Sequence, residues 1–133
     1  MTSTKPRVLV ADDHRAMRDS LVRILSTDFE VVAAVSDGLS VVNSVAELEP
    51  DLLVLDIAMP GLNGIAAASR VKATGSAAKV VFVTNLHDRE FVQQSLALGD
   101  IGFVAKNRLV ADLLPAIHTV LAGQSFVSPS VSR

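Results

Sequence analysis

The chain has 133 residues, half of them apolar and a fifth charged, with 12 Lys and Arg against 14 Asp and Glu and a formal net charge of −2. That is the size of one compact domain, which buries roughly two thirds of the surface its unfolded form exposes. The acidic balance excludes a nucleic-acid binder working through a basic face. The lack of Cys excludes disulfides, thiolate metal sites and cysteine nucleophiles, and no Trp or Tyr is present to stack on bases or flavins.

Short apolar runs alternate with segments of helical period, the pattern of repeated βα units. Arg7 to Ala11 reads as a buried strand, apolar on both faces, and His14 to Thr27 as a helix with Met17, Leu21, Ile24 and Leu25 on one stripe. Glu30 to Val35 is a second strand, ended by Asp37-Gly38, and Leu39, Val42, Val45, Ala46 and Leu48 mark a second helix. Asp51 to Leu55 is the third strand and runs into Asp56; a turn-rich loop from Ile57 to Gly64 follows, then a helix from Ile65 to Ala73. Lys79 to Val83 is a fourth strand ending at Thr84, and Asp88 to Leu98 a fourth helix, capped by Asp88 and closed by Gly99. Ile101 to Ala105 is a fifth strand ending at Lys106. The last helix stops at Gly123 and is expected to start near Ala111 or Asp112, so that Pro115 falls in its first turn, where no donor is needed. The Ser-rich tail, residues 124–133, loses the period and reads as the start of a linker, which leaves 1–123 as the domain.

Mean hydropathy is high, +0.43, but it comes in short runs. None approaches the ~20 apolar residues of a membrane span, and the first run is too short for a signal sequence, so the chain is expected to be cytoplasmic, with no membrane partner. Five βα units imply an α/β fold: a five-stranded parallel sheet with helices on both faces, in the flavodoxin-like order 2-1-3-4-5.

Such sheets carry their sites at the carboxyl ends of the strands. Asp12 and Asp13 follow strand one, Asp56 ends strand three, Thr84 strand four and Lys106 strand five. Three carboxylates, a hydroxyl and an ammonium therefore converge on one edge. Packed carboxylates repel one another, and a hard divalent cation such as Mg²⁺ relieves this while leaving room for a phosphate. A metal, a Lys and a hydroxyl suit the equatorial oxygens of a phosphoryl group in transfer. With no Cys and no Ser/His pair, a carboxylate is the nucleophile, and Asp56 is the best placed. His14, His87 and His118 lie in separate segments without metal-ligand spacing and are read as ordinary, and Met17 and Phe91 as core.

These residues stand in the segments Val8-Leu9-Val10-Ala11-Asp12-Asp13-His14, Leu52 to Gly64, Val81-Phe82-Val83-Thr84 and Gly102-Phe103-Val104-Ala105-Lys106. Over roughly residues 6 to 123 the chain resembles the receiver domain of bacterial two-component response regulators. The resemblance implies that Asp56 accepts a phosphoryl group from the phosphohistidine of a sensor histidine kinase. It implies Mg²⁺ held by Asp13, Asp56 and the backbone carbonyl of Ala58, with Asp12 acting through metal-bound water. Lys106 would pair with the phosphoryl oxygens, and Thr84 would move toward them and let Phe103 rotate inward. The domain would be a phosphorelay acceptor and switch, catalysing only its own phosphotransfer and dephosphorylation.

Three departures from the family pattern bear on the lifetime of the phosphorylated state. Asn107 stands where many receivers have Pro, so the turn at Lys106 must be held without it; a cis bond there would cost about 2.5–4 kcal/mol. Ala58 and Leu86 cannot hold a hydrolytic water through their side chains, and Asn85 is larger than the small residue common at its position. A long-lived phosphorylated state is the expectation. The last helix with Ala122-Gly123 and the tail resemble the junction in the NarL/FixJ (LuxR-type) class, which implies a DNA-binding helix-turn-helix domain beyond this chain; any homodimer formed on phosphorylation is expected to be symmetric. A stand-alone receiver and a phosphorylation-independent interaction module are the alternatives. A flavodoxin-type FMN binder fits poorly with the acidic first loop, and an aspartate-nucleophile phosphatase with Ala58, where a second Asp would stand.

Overall fold

The computed structural model describes residues 5–85, 93–94, 98–99 and 101–129. The elements in chain order are β1 (Arg7–Ala11), α1 (Arg15–Leu25), β2 (Glu30–Val35), α2 (Gly38–Leu48), β3 (Leu52–Asp56), α3 (Gly64–Ala73), β4 (Lys79–Thr84), β5 (Ile101–Ala105), a 3₁₀ turn (Lys106–Arg108), α4 (Leu109–Leu121) and β6 (Phe126–Val127). The helix expected over Asp88 to Leu98 lies almost wholly outside the described residues, as do Leu86, His87 and Phe91; Gly99 has φ +111°.

All pairings are parallel and the sheet order is β2-β1-β3-β4-β5-β6. Successive strand residues face opposite sides, so each strand feeds two cores. Val8, Val10, Leu52, Val54, Val81, Val83 and Val104 pack with Leu21 and Leu25 of α1 and Leu113 and Ile117 of α4. Leu9, Leu53, Leu55, Val80, Phe82, Ile101 and Phe103 pack on the other side with Val41 and Val45 of α2 and Ala67, Ala68 and Val71 of α3. Burial on both faces is why these strands read as continuous apolar runs. Among the described residues no helix is long and apolar enough to cross a membrane.

Two expectations are corrected. The sheet has six strands, not five, and it extends past Gly123: Phe126 and Val127 pair with Gly102 and Phe103. Serines lengthen this short strand at both ends, Ser125 Oγ accepting from Ile101 N–H and Ser128 Oγ from Ala105 N–H, both at 3.2 Å. The second correction concerns the last helix, which starts at Leu109 and encloses Pro115. Pro115 has no N–H to give the Ala111 carbonyl, but both residues are exposed, so water can solvate that oxygen.

Candidate functional site

The site is built where the neighbouring strands β1 and β3 end side by side. Val10 pairs with Val54 and Ala11 with Leu55, which brings Asp12 and Asp13 to the level of Asp56. Asp12 is wholly buried and locally fixed: its Oδ1 accepts from His14 N–H at 2.8 Å, an Asx turn that starts α1. Its carbonyl accepts from Arg18 Nη1 at 2.8 Å. Asp56 is 2% exposed and Oδ1 receives a long hydrogen bond from Ala58 N–H at 3.4 Å. Gly64 holds the following loop against the site. Its N–H donates to the Ile57 carbonyl at 2.9 Å, and a Cβ at this position would sit 2.1 Å from the Asp56 carbonyl oxygen.

Lys106 reaches in from the end of β5. Its side chain is 8% exposed, with Nζ 3.1 Å from Asp12 Oδ2 and 3.5 Å from Asp56 Oδ2. Asp12 Oδ2 receives no hydrogen bond of acceptable direction, so its contact with Lys106 is one of charge rather than of an aligned N–H. Ligand atoms of Asp12, Asp13, His14 and Asp56 all lie within 4.8 Å of one another. An unbonded, wholly buried carboxylate oxygen beside two further carboxylates and the exposed Ala58 backbone is a donor set that fits a hard divalent cation. Burial first, and then the neighbouring Asp12 charge, raise the Asp56 pKa above its ordinary value, against the opposing pull of Lys106 and the Ala58 N–H.

Thr84 is buried at the end of β4, one residue past Val83, the register partner of Asp56, and opposite Ala105. Phe103 is wholly buried, its ring centroid 6.1 Å from that of Phe82. Phe103 has no hydroxyl to keep its ring near water, and full burial of such a ring is worth about 1.5–3 kcal/mol.

All the strand-end residues singled out from the sequence therefore lie along one edge, and Asp12, Asp13, Asp56 and Lys106 form one cluster. His14, read as ordinary, belongs beside them: Nδ1 is 3.1 Å from Asp13 Oδ1 and 3.5 Å from Asp12 Oδ1. Its place directly after the two aspartates was the available signal. His118 is exposed, with its ring 6.3 Å from that of Phe29. Asp112 and Ser128, whose network adjoins Lys106, were not among the residues that the sequence singled out. The Lys106–Asn107 bond is trans, since the described residues include no cis peptide.

Comparison with known proteins places this geometry in a family. A model of the response regulator receiver domain matches residues 8–118. The response regulator GacA of Pseudomonas viridiflava is 33% identical over 129 residues, which cover 96% of this chain and 60% of GacA. The chain thus spans less than two thirds of the length of that relative. The structure of a LuxR-family two-component response regulator from Aurantimonas superposes with a TM-score of 0.90 at 28% identity, covering 97% of this chain and 94% of the other. The isolated receiver domain of RcsB from Salmonella enterica, determined with the phosphomimetic beryllofluoride, gives a TM-score of 0.86 at 26% identity and 98% coverage of both chains. Another matched RcsB structure holds two dimers bound to two parallel DNAs. The parallel sheet, the acidic edge and the match over residues 8–118 agree: this chain belongs to the response regulator receiver domains, in the LuxR-family (NarL/FixJ) class of two-component regulators.

Proposed function

We propose that Asp56 is the phosphoacceptor, and that its phosphorylation by a sensor histidine kinase switches an output carried outside this chain. The observation that carries this reading is the pairing of one buried Lys with two buried carboxylates, Nζ lying 3.1 Å from Asp12 and 3.5 Å from Asp56. In the transfer, an Asp56 carboxylate oxygen forms a bond to phosphorus as the bond from phosphorus to the donor histidine nitrogen breaks. Lys106 neutralises charge on the equatorial oxygens, and Thr84 donates its hydroxyl to one of them. Asp13, Asp56 and the Ala58 carbonyl would hold Mg²⁺, with Asp12 acting through water, and the ion would supply charge neutralisation at the phosphoryl oxygens. The chain is an acceptor that catalyses its own transfer rather than an enzyme with an external product.

Phosphate brings about −1.5 to −2 charge and three acceptor oxygens beside Thr84 and Lys106. The buried Phe103 is the arrangement that this charge favours, so phosphorylation stabilises a packing already available to the domain. The greater length of GacA and the naming of a matched Staphylococcus aureus LuxR-family structure as a DNA-binding response regulator support a DNA-binding output, and the RcsB dimers on DNA support a symmetric dimer as the active form. A cytoplasmic location follows from such partners. Intact-mass measurement after incubation with acetyl phosphate and Mg²⁺ tests the proposal. The expected result is one added phosphoryl group on the wild-type chain and none on Asp56→Asn; equal labelling of the two overturns the assignment.

A further inference from the structure

Lys106 must be held in place without the proline that often follows it in this family, and the structure contains a network in a suitable position. On the amino side, Ala105 N–H donates to Ser128 Oγ at 3.2 Å. Ser128 is wholly buried; its own N–H donates to the Phe103 carbonyl at 2.8 Å and its hydroxyl to Asp112 Oδ2 at 2.6 Å. On the carboxyl side, Leu109 N–H closes the 3₁₀ turn on the Lys106 carbonyl. Arg108 then grips the same carboxylate, Nε at 2.7 Å from Asp112 Oδ2 and Nη2 at 3.3 Å from Oδ1. Ala105 and Arg108, which flank the Lys106-Asn107 pair, are both tied to Asp112, one through Ser128 and one directly.

Asp112 is 6% exposed and lies on the inward face of α4 among Leu109, Leu113 and Ala116. Packing would be served there by an apolar side chain, since a buried carboxylate costs free energy unless fully partnered. Fully satisfied polar networks fix one geometry, and this one encloses a turn whose central side chain reaches the acidic cluster.

We propose that Ser128, acting through Asp112 and Arg108, is a positioning residue for Lys106, so that the segment following β6 is part of the phosphorylation machinery. The clamp fixes the turn between Ala105 and Leu109 and thereby sets how far Nζ reaches between Asp12 and Asp56. It makes the region where the chain leaves the sheet a handle on the site: tension on Ser128 moves Lys106, and occupation of Lys106 by phosphate tightens Ser128. This rests on the reading of Asp56 as phosphoacceptor and Lys106 as its cation.

The test compares the 133-residue wild-type chain with Ser128→Ala, measuring two quantities on folded protein. These are the Mg²⁺ dissociation constant, by NMR titration, and the rate of Asp56 phosphorylation by acetyl phosphate at saturating Mg²⁺. Lys106 is not a metal ligand, so the Mg²⁺ constant is expected to stay within about twofold while the rate falls about tenfold, the range expected of a sub-ångström to 1 Å displacement of a catalytic group. An unchanged rate overturns the proposal, as does a rate loss matched by an equal loss of Mg²⁺ affinity, which signals general distortion. If Ser128→Ala does not fold, Arg108→Ala carries the same comparison at a side chain that is 42% exposed, with the same split expected in smaller measure. Failure of the wild-type chain to be phosphorylated, or labelling of Asp56→Asn, overturns the reading of the site rather than the clamp alone.

Discussion

Asp12, Asp13 and Asp56 face one another with a single buried ammonium among them, and each has a separate task. Asp12 is sealed from solvent and spends one oxygen on the Asx turn; the Asp13 side chain is 31% exposed, with His14 Nδ1 3.1 Å from its Oδ1, and an ion can reach it from solvent. Asp13→Ala removes a direct anionic ligand and is expected to abolish millimolar Mg²⁺ binding, read by the same titration. Unchanged affinity would place the ion elsewhere. The raised pKa of Asp56 also has a stability consequence. A carboxyl group whose folded pKa lies above its unfolded value penalises folding when ionised, and the penalty is complete above the raised value. Asp56→Asn is therefore expected to be more stable than the wild type to urea at neutral pH without metal, the gain fading as pH falls through the raised value toward 3.8. A variant less stable at neutral pH contradicts this.

At the scale of elements, the loop between β3 and α3 is tightly held against the site. Asn63 Oδ1 caps α3 by accepting from Ala66 N–H at 2.8 Å, while Gly64 lies against the Asp56 carbonyl. A methyl group 2.1 Å from backbone oxygen cannot be accommodated without moving the strand end that carries Asp56. Gly64→Ala is expected to cost about 3 kcal/mol or more in denaturant unfolding, and a loss under 1 kcal/mol would mean that the loop yields easily. The turn chemistry of this loop, the doubly buried strands β1, β3, β4 and β5 and the acidic edge were legible in the sequence because a doubly buried strand is apolar throughout and its polar terminus stands out. β6 was not, because two residues carry no period and their flanking Ser125 and Ser128 look like linker composition. The start of α4 was misplaced for a different reason: Pro115 argued for the first turn, whereas exposure on the helix surface is enough to tolerate it. Asp112 gave no signal at all, since only the tertiary approach of Ser128 and Arg108 explains a carboxylate on that face.

For the molecule as a whole, the two cores are joined by a sheet whose outer edge at β5 is covered by β6, and the Asp112 network fastens that edge to α4. The Arg108 hydrogen bonds, with help from Ser128, hold the Asp112 pKa below its ordinary 3.8 against the opposing effect of burial. A lowered folded pKa gives stability that is complete above the unfolded value and is lost as pH falls through the folded one. Asp112→Ala takes away the acceptor of the buried Ser128 hydroxyl proton, leaving Ser128 Oγ only the bond it accepts from Ala105 N–H, and is expected to cost about 1–3 kcal/mol at neutral pH. Its deficit against the wild type should shrink below pH 3.8 as the wild-type carboxylate takes up its proton. A deficit constant down to pH 2 would assign Asp112 a packing role alone.

The central claim is that Asp56, and no other carboxylate of the cluster, becomes an acyl phosphate. Borohydride reduces an acyl phosphate of aspartate to homoserine, a change that peptide mass mapping locates to one residue. After treatment with acetyl phosphate and Mg²⁺, the account predicts homoserine at position 56 and intact aspartate at positions 12 and 13. Homoserine at Asp12 or Asp13, or at no position in a chain that has gained a phosphoryl group, would contradict it.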